Sequence, residues 1–467
     1  MLSDKDQLQD IPHHKRYHAL TYGSRYTAEP IPKLVLPEKG MPSKIAYRII
    51  KDELNLDGNP SLNLASFVTT WMDHHADRLL AETLGKNYID QDEYPQTTKI
   101  QNYCINMLAR LFNAPEHAQS TGTSTIGSSE AIHLAGLAMK WNWRKKRKKQ
   151  RKKIDSPNIV MGQNVQVVWE KFARYFEVEP RYVPLTHDRY ILGVPEALKL
   201  IDANTIGVVG ILGSTYTGEY EPIEQLNEAI NQLNNQTNWD VPIHVDAASG
   251  GFVAPFTQPQ LRWDFRLNCV KSINTSGHKY GLVYPGIGWV VWRDKQDLPE
   301  DLIFHVNYLG GDQPTFHLNF SKSASHILGQ YYNFLFLGRD GYRAIMLNLQ
   351  HITEHLTTAI EGLGIFKILS KLGDLPVITF SIKNPEKHSF SVYDISQKLR
   401  ERGWIVPAYT LAPNASDITV LRIVVKESMS LDMAENLIND LNSAIQALTS
   451  SKPQPPEQTD NKHQGVC

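Results

Sequence analysis

What this chain of 467 residues lacks narrows its character first. Cysteine is scarce: Cys104, Cys269 and Cys467 are few, widely spaced and odd in number. Neither a disulfide framework nor a cysteine-rich metal centre follows from them, and the count fits a reducing compartment. A formal net charge of -1 gives no global pull toward nucleic acid or a membrane surface. No apolar run approaches the roughly 20 residues that a membrane helix requires. The longest, such as residues 206–212, are of strand length. The opening Met1-Leu2-Ser3-Asp4-Lys5-Asp6 has no basic stretch leading into an apolar one, so no secretory signal is expected. No internal repeat is visible. The expectation is a soluble, cytoplasmic globular protein, for which 41% hydrophobic and 21% charged residues are ordinary values.

The pattern along the chain predicts an N-terminal arm and segment over residues 1–60. It is polar and rich in His and Tyr to about residue 30, then helically spaced over 43–54. Residues 61–345 form a large domain in which helical patterns alternate with short β-branched runs. The strand candidates are 158–161, 165–168, 206–210, 243–246 and 288–292. That alternation predicts an α/β fold with a mainly parallel sheet covered on both faces. Ligands of such sheets sit beyond the carboxyl ends of the strands, where Asp246 falls. A small α+β domain is expected over 346–449, with a helix near 351–363, strands at 377–381 and 420–425, and a last helix over 432–448. Residues 450–467 read as a flexible tail. Every residue of 144–153 except Gln150 is basic, but no aromatic is interleaved, and the run reads as solvated surface.

Three places carry chemistry. Lys279 follows a small, hydroxyl-rich turn that ends in Ser276-Gly277-His278. Such an amine suits condensation with an aldehyde, although single lysines are usually surface groups. Asp246 ends an apolar strand and precedes Ala-Ala-Ser-Gly-Gly. It either caps the next turn or pairs with a ring N–H that approaches the small residues. Gly127-Ser128-Ser129 opens a helical run, a place for ordinary capping or for a phosphate on free N–H groups, hydroxyls and the helix dipole. Amine, ring partner and phosphate cradle together suit pyridoxal 5'-phosphate (PLP). No metal site is expected.

The segments SGHKYGLVY (276–284), HVDAASGG (244–251), GSSEA (127–131), NVQVVWEKFARYF (164–176) and YLGGDQPTF (308–316) resemble glutamate decarboxylases of the PLP-dependent group II decarboxylases. The likeness runs from about residue 30 to 449, and NLASFVTTW (63–71) is nearer the plant form than the enteric bacterial one. The resemblance implies an aspartate-aminotransferase-like fold with sites at the interface of a homodimer, some relatives being hexamers. It implies Lys279 as the Schiff-base lysine, Asp246 as pyridinium partner, and Ser128, Ser129 and His278 as phosphate ligands. Thr215 would lie near the phenolic oxygen, and Gln166 would stack on the ring where related decarboxylases have histidine. Ser66, Asn87, Asp90 and Arg422 would receive L-glutamate. Ser321 would reach a neighbouring subunit's phosphate, and Tyr308 would lie on a lid from the partner. The implied reaction gives 4-aminobutanoate (GABA) and CO2 through an external aldimine and consumes one proton. An aminotransferase, a decarboxylase of another amino acid, or a silent binding protein on this fold are the alternatives. The tail has no aromatic residue and contains prolines, so no calmodulin binding is expected. His463, or Asp4, Asp6 and Asp10, are weaker candidates for acid gating.

Overall fold

The computed structural model describes residues 33–308 and 310–450. The expected N-terminal arm to about residue 30, with Asp4, Asp6 and Asp10, the tail that bears on calmodulin, and His463 lie outside them. The chain divides into two units, residues 1–59 and 60–467. In the first, the expected helix forms as α1 (Ser43–Leu54), with Arg48 and Asp52 paired at 3.6 Å one turn apart.

The second unit holds α2 (His74–Thr83), α3 (Pro95–Leu111) and then a seven-stranded sheet. Its strands are β1 (Thr121–Thr125), β2 (Asn158–Gly162), β3 (Glu179–Val183), β4 (Thr205–Ile211), β5 (Ile243–Asp246), β6 (Val270–Thr275) and β7 (Gly288–Trp292). Their order is β1-β7-β6-β5-β4-β2-β3, with β7 antiparallel to both neighbours and the β6-β5-β4-β2-β3 pairings parallel. All residues of β2, β4, β5 and β7 are buried. Burial on both faces is why these strands read as continuous apolar runs.

Helix α4 (Ser128–Lys149) packs across β4, β6 and β7. Its buried face includes Ala131, Ala135, Gly136 and Ala138, and at Gly136 a Cβ would come within 2.3 Å of the Phe172 ring. Phe172 belongs to α5 (Val167–Tyr175), where the expectation of a strand over 165–168 is corrected. The Gln166 side chain accepts from Val168 N at 2.7 Å and starts a helix, and Val168, Trp169, Phe172 and Ala173 bury one face of it. The cap and that helical spacing override the β-branched run. Helices α6 (Val194–Leu200) and α7 (Ile223–Thr237) complete the crossovers.

Beyond a short hairpin of β8 (Phe304–Val306) and β9 (Gln313–Thr315), helix α8 (Ser325–Gly362) breaks at Gly338, whose φ of 57° and ψ of -168° leave helical space. The expected 351–363 helix is the last part of it. Strands β10 (Phe366–Ile368), β11 (Val377–Ile382), β12 (Ala408–Thr410) and β13 (Thr419–Val424) form an antiparallel sheet ordered β10-β11-β13-β12. It lies with α9 (Val392–Arg400) and α10 (Leu431–Ser450). Among the described residues, no helix is long and apolar enough to cross a membrane.

Candidate active site

The ends of β4, β5 and β6 and the start of α4 open into one cleft of about 360 Å³. Gly127, Ser128, Ser129, Gln166, Thr215, Asp246, His278 and Lys279, separated by up to about a third of the chain in sequence, all line it.

Lys279 follows β6 through a tight turn in which its N–H donates to Ser276 O at 3.3 Å. Its Nζ donates to Ser249 Oγ at 3.1 Å and lies 5.2 Å from the centre of the Phe67 ring. Burial lowers its pKa to about 8; Asp246 opposes the shift and Arg422 adds to it. The amine is therefore far easier to deprotonate than a surface lysine, which a nucleophilic amine requires.

Asp246 is 6% exposed and accepts three hydrogen bonds. Trp169 Nε1 donates to Oδ2 at 2.9 Å, while Asn274 Nδ2 and Ala248 N donate to Oδ1 at 3.1 and 3.2 Å. All three donors are neutral, so none of them supplies a counter-charge to the carboxylate.

At the start of α4 no side chain caps the helix. Ser128 Oγ and Ser276 Oγ lie 2.7 Å apart, and Glu130 holds the preceding loop by accepting from Ile126 N at 2.9 Å. The His278 ring lies against Gly127, where a Cβ would approach its Cε1 to 3.0 Å. Gly286 N donates to His278 Nδ1 at 3.4 Å, which leaves the proton of the neutral ring on Nε2. Burial, then Lys279 and His326, lower the pKa of His278 to about 4.

Arg422 on β13 reaches the same region. It donates to Thr215 O and, at 2.6 Å, to Ala65 O, and it lies 5.0 Å from the centre of the Phe67 ring. It is 9% exposed, and its buried Nε has no hydrogen-bond partner. Ser66 Oγ accepts from Val68 N at 3.1 Å beside it. Asn87, Asp90 and Ser321 are placed elsewhere and do not line the Lys279 cleft. Asn87 Nδ2 donates to Ser321 Oγ at 3.3 Å, and Asp90 N donates to Asn87 O at 3.2 Å. Tyr308 is 73% exposed and stacks on Phe320.

Sequence reasoning missed Phe67, Trp169, Ser249 and Asn274 as parts of this site. Phe67, Trp169 and Ser249 lie inside the quoted motifs, but a serine among small residues and aromatic side chains read equally as filler and core. Asn274 carries no local signal at all.

Residues 37–383 match the pyridoxal-dependent decarboxylase conserved domain. The chain is 53% identical over 438 residues to a glutamate decarboxylase of Solanum lycopersicum, covering 93% of this chain and 87% of that one. It is 47% identical over 432 residues to a glutamate decarboxylase beta of Listeria innocua, covering 92% and 93% respectively. Among solved structures it resembles a glutamate decarboxylase of Lactobacillus brevis, with a TM-score of 0.90, 45% identity, and coverage of 92% of this chain and 98% of that one.

Proposed function

The chain belongs to the pyridoxal-dependent decarboxylases, on the glutamate decarboxylase branch and nearer its plant than its bacterial members, and from that premise we propose which residues do its chemistry. The enzyme depends on PLP and converts L-glutamate to 4-aminobutanoate and CO2. The observation that carries the residue assignment is the buried Lys279 amine, set in one cleft with the Asp246 carboxylate and the uncapped start of α4.

The residues fit the cofactor. Ser128 and Ser129, with the first-turn N–H groups and His278 Nε2–H, would hold its phosphate. Asp246 would accept from the ring nitrogen, Thr215 would lie by the phenolic oxygen, and Gln166 would cover the ring. Lys279 would hold the aldehyde carbon. Bound PLP supplies a protonated ring that takes up the electron pair left when the α-carboxylate departs as CO2.

The chain's own residues do the rest. Asp246, held by three neutral donors, keeps the ring nitrogen protonated. Arg422, fixed to two backbone carbonyls, presents its remaining guanidinium edge to a carboxylate of glutamate. Phe67 keeps apolar surface between Arg422 and Lys279. Lys279 Nζ, easily deprotonated where it sits, carries the proton delivered to Cα, so each turnover consumes one proton.

The active unit is a homodimer at least. Tyr103, Met107, Leu335 and Phe336 are exposed apolar side chains of the kind a subunit interface covers. Asn87, Asp90, Ser321 and Tyr308 would act in the partner's cleft, Asn87 and Asp90 near the distal carboxylate and Ser321 near the phosphate. The protein would work in the cytoplasm. Purified enzyme should release CO2 and 4-aminobutanoate from L-glutamate, but little from L-aspartate or aromatic amino acids. Conversion of 2-oxoglutarate by amino-group transfer without CO2 release would overturn the assignment.

A further inference from the structure

Beneath Asp246 the sheet carries a row of polar side chains that the mechanism does not use. His244 and Asp246 are two residues apart on β5, and Ser272 and Asn274 two apart on β6, so each pair shares a face. The parallel register sets His244 beside Ser272 and Asp246 beside Asn274. His244 Nδ1 lies 2.7 Å from Ser272 Oγ, and His244 Nε2 lies 2.8 Å from Asn274 Oδ1. Asn274 Nδ2 then donates to Asp246 Oδ1 at 3.1 Å. Ser272, His244 and Asn274 are at most 1% exposed. Four polar groups in a sheet interior need a reason, because each costs free energy unless fully bonded.

The chain of bonds has one direction when Asp246 is ionised. A carboxylate only accepts, so Asn274 must turn its Nδ2 toward it. Asn274 Oδ1 then faces the imidazole and needs a donor there, which places the His244 proton on Nε2. Nδ1 is left with a lone pair, and Ser272 Oγ–H donates to it. Reversing any bond sets Asn274 Oδ1 against the carboxylate, two acceptors about 3.1 Å apart, unless Asp246 is protonated. Burial pulls the His244 pKa down, so the row carries one ring proton rather than two. Trp169, whose ring lies 5.4 Å from His244, adds another donor to Asp246. The other titratable groups acting on Asp246 are Lys279 in the cleft and Glu221, which accepts from Ile211 N at the end of β4.

We propose that Ser272, His244 and Asn274 form a one-directional hydrogen-bond relay that holds Asp246 in its anionic, accepting form toward the cofactor's ring nitrogen. His244 and Asn274 are then positioning residues for the reaction. The proposal rests on the reading of Asp246 given above.

The test strips the full-length enzyme of PLP and titrates the cofactor back. It measures PLP affinity, the pH midpoint of the bound cofactor's absorbance, and the melting of each apoprotein. His244→Leu should weaken PLP about ten- to hundredfold, the range seen when a supporting shell is removed from a bound group, and should shift the midpoint. His244→Gln, whose amide nitrogen falls near Nε2, should restore most of both. Wild-type affinity and midpoint in His244→Leu would overturn the relay, as would failure of His244→Gln to recover in a normally melting apoprotein. If His244→Leu does not fold, Ser272→Ala decides: about three- to tenfold weaker PLP is expected for one lost hydrogen bond, and no change overturns the proposal. Asp246→Asn separates the two levels. If it binds and titrates like wild type, the reading of Asp246 falls and takes the relay with it. If it is impaired while His244→Leu and Ser272→Ala are not, the relay alone falls.

Discussion

The Lys279 cleft and the Asn87 cluster hold residues assigned to one reaction in opposite physical states. Asp246 in the cleft and Arg422 beside it, bonded to the cleft residue Thr215, are buried and fixed by donors and acceptors from distant segments, and Lys279 is pinned by Ser249 and Phe67. In the cluster, Asn87 and Ser321 bond to one another on loops, and Tyr308 stands in solvent. Groups that must sit within tenths of an ångström of reacting atoms are built on strand ends and a helix start. Side chains on loops suit a surface completed by a second copy.

The largest effect that would break this contrast is at Lys279. Lys279→Ala should lower turnover about a thousandfold or more, as loss of a covalent and proton-carrying group does. Turnover within tenfold of wild type would remove Lys279 from the reaction. Next is Arg422→Lys, which loses the planar fork that serves two carbonyls and a ligand together. Activity on glutamate, as kcat/KM, should fall about a hundredfold, mostly through KM, while PLP affinity stays near wild type.

Asn87→Ala sharpens the comparison from the other side. KM for glutamate should rise about tenfold, the scale of one good hydrogen bond. Mixed dimers of Lys279→Ala and Asn87→Ala subunits should exceed both parents, because one of their two sites draws an intact residue from each chain. Mixed dimers no better than the Asn87→Ala parent would put Asn87 in its own chain's cleft.

The smallest effect is on stability. Burial holds the folded-state pKa of Lys279 at about 8, below its ordinary 10.5. The unfolded chain therefore binds more protons between those values, and unfolding free energy rises with pH across that window. Apoprotein melting should rise by a few degrees at most from pH 8 upward, and Lys279→Met should flatten the rise. Asn87→Ala should leave it unchanged. A rise that persists in Lys279→Met assigns it to another group.

Much of the fold is legible in the sequence because parallel strands buried on both faces write themselves as apolar runs. Residues 206–210 and 243–246 are cases where composition alone sufficed. Residues 165–168 are not: four residues, three of them β-branched, are too few to show that Trp169 and Phe172 continue them as a helix. The basic run is a mixed case. Most of it is exposed, but Lys146 turns inward to Trp239 O at 3.0 Å and Arg147 closes on Lys153 O at 2.9 Å. Charge patterning registers the side chain and not its partner.

The sequence by itself determined the chemistry of this protein: an amine, a carboxylate and an uncapped serine pair, each in a short local setting, together with the motifs that make it a decarboxylase. Tertiary structure decided what holds them. Whether Asn274 faces Asp246, whether Ser276 meets Ser128, and whether Asn87 stays out of the Lys279 cleft depend on strand register and loop closure. These contacts join residues up to more than two hundred positions apart. A hydrogen bond needs both partners placed to a fraction of an ångström, and no local pattern carries that information.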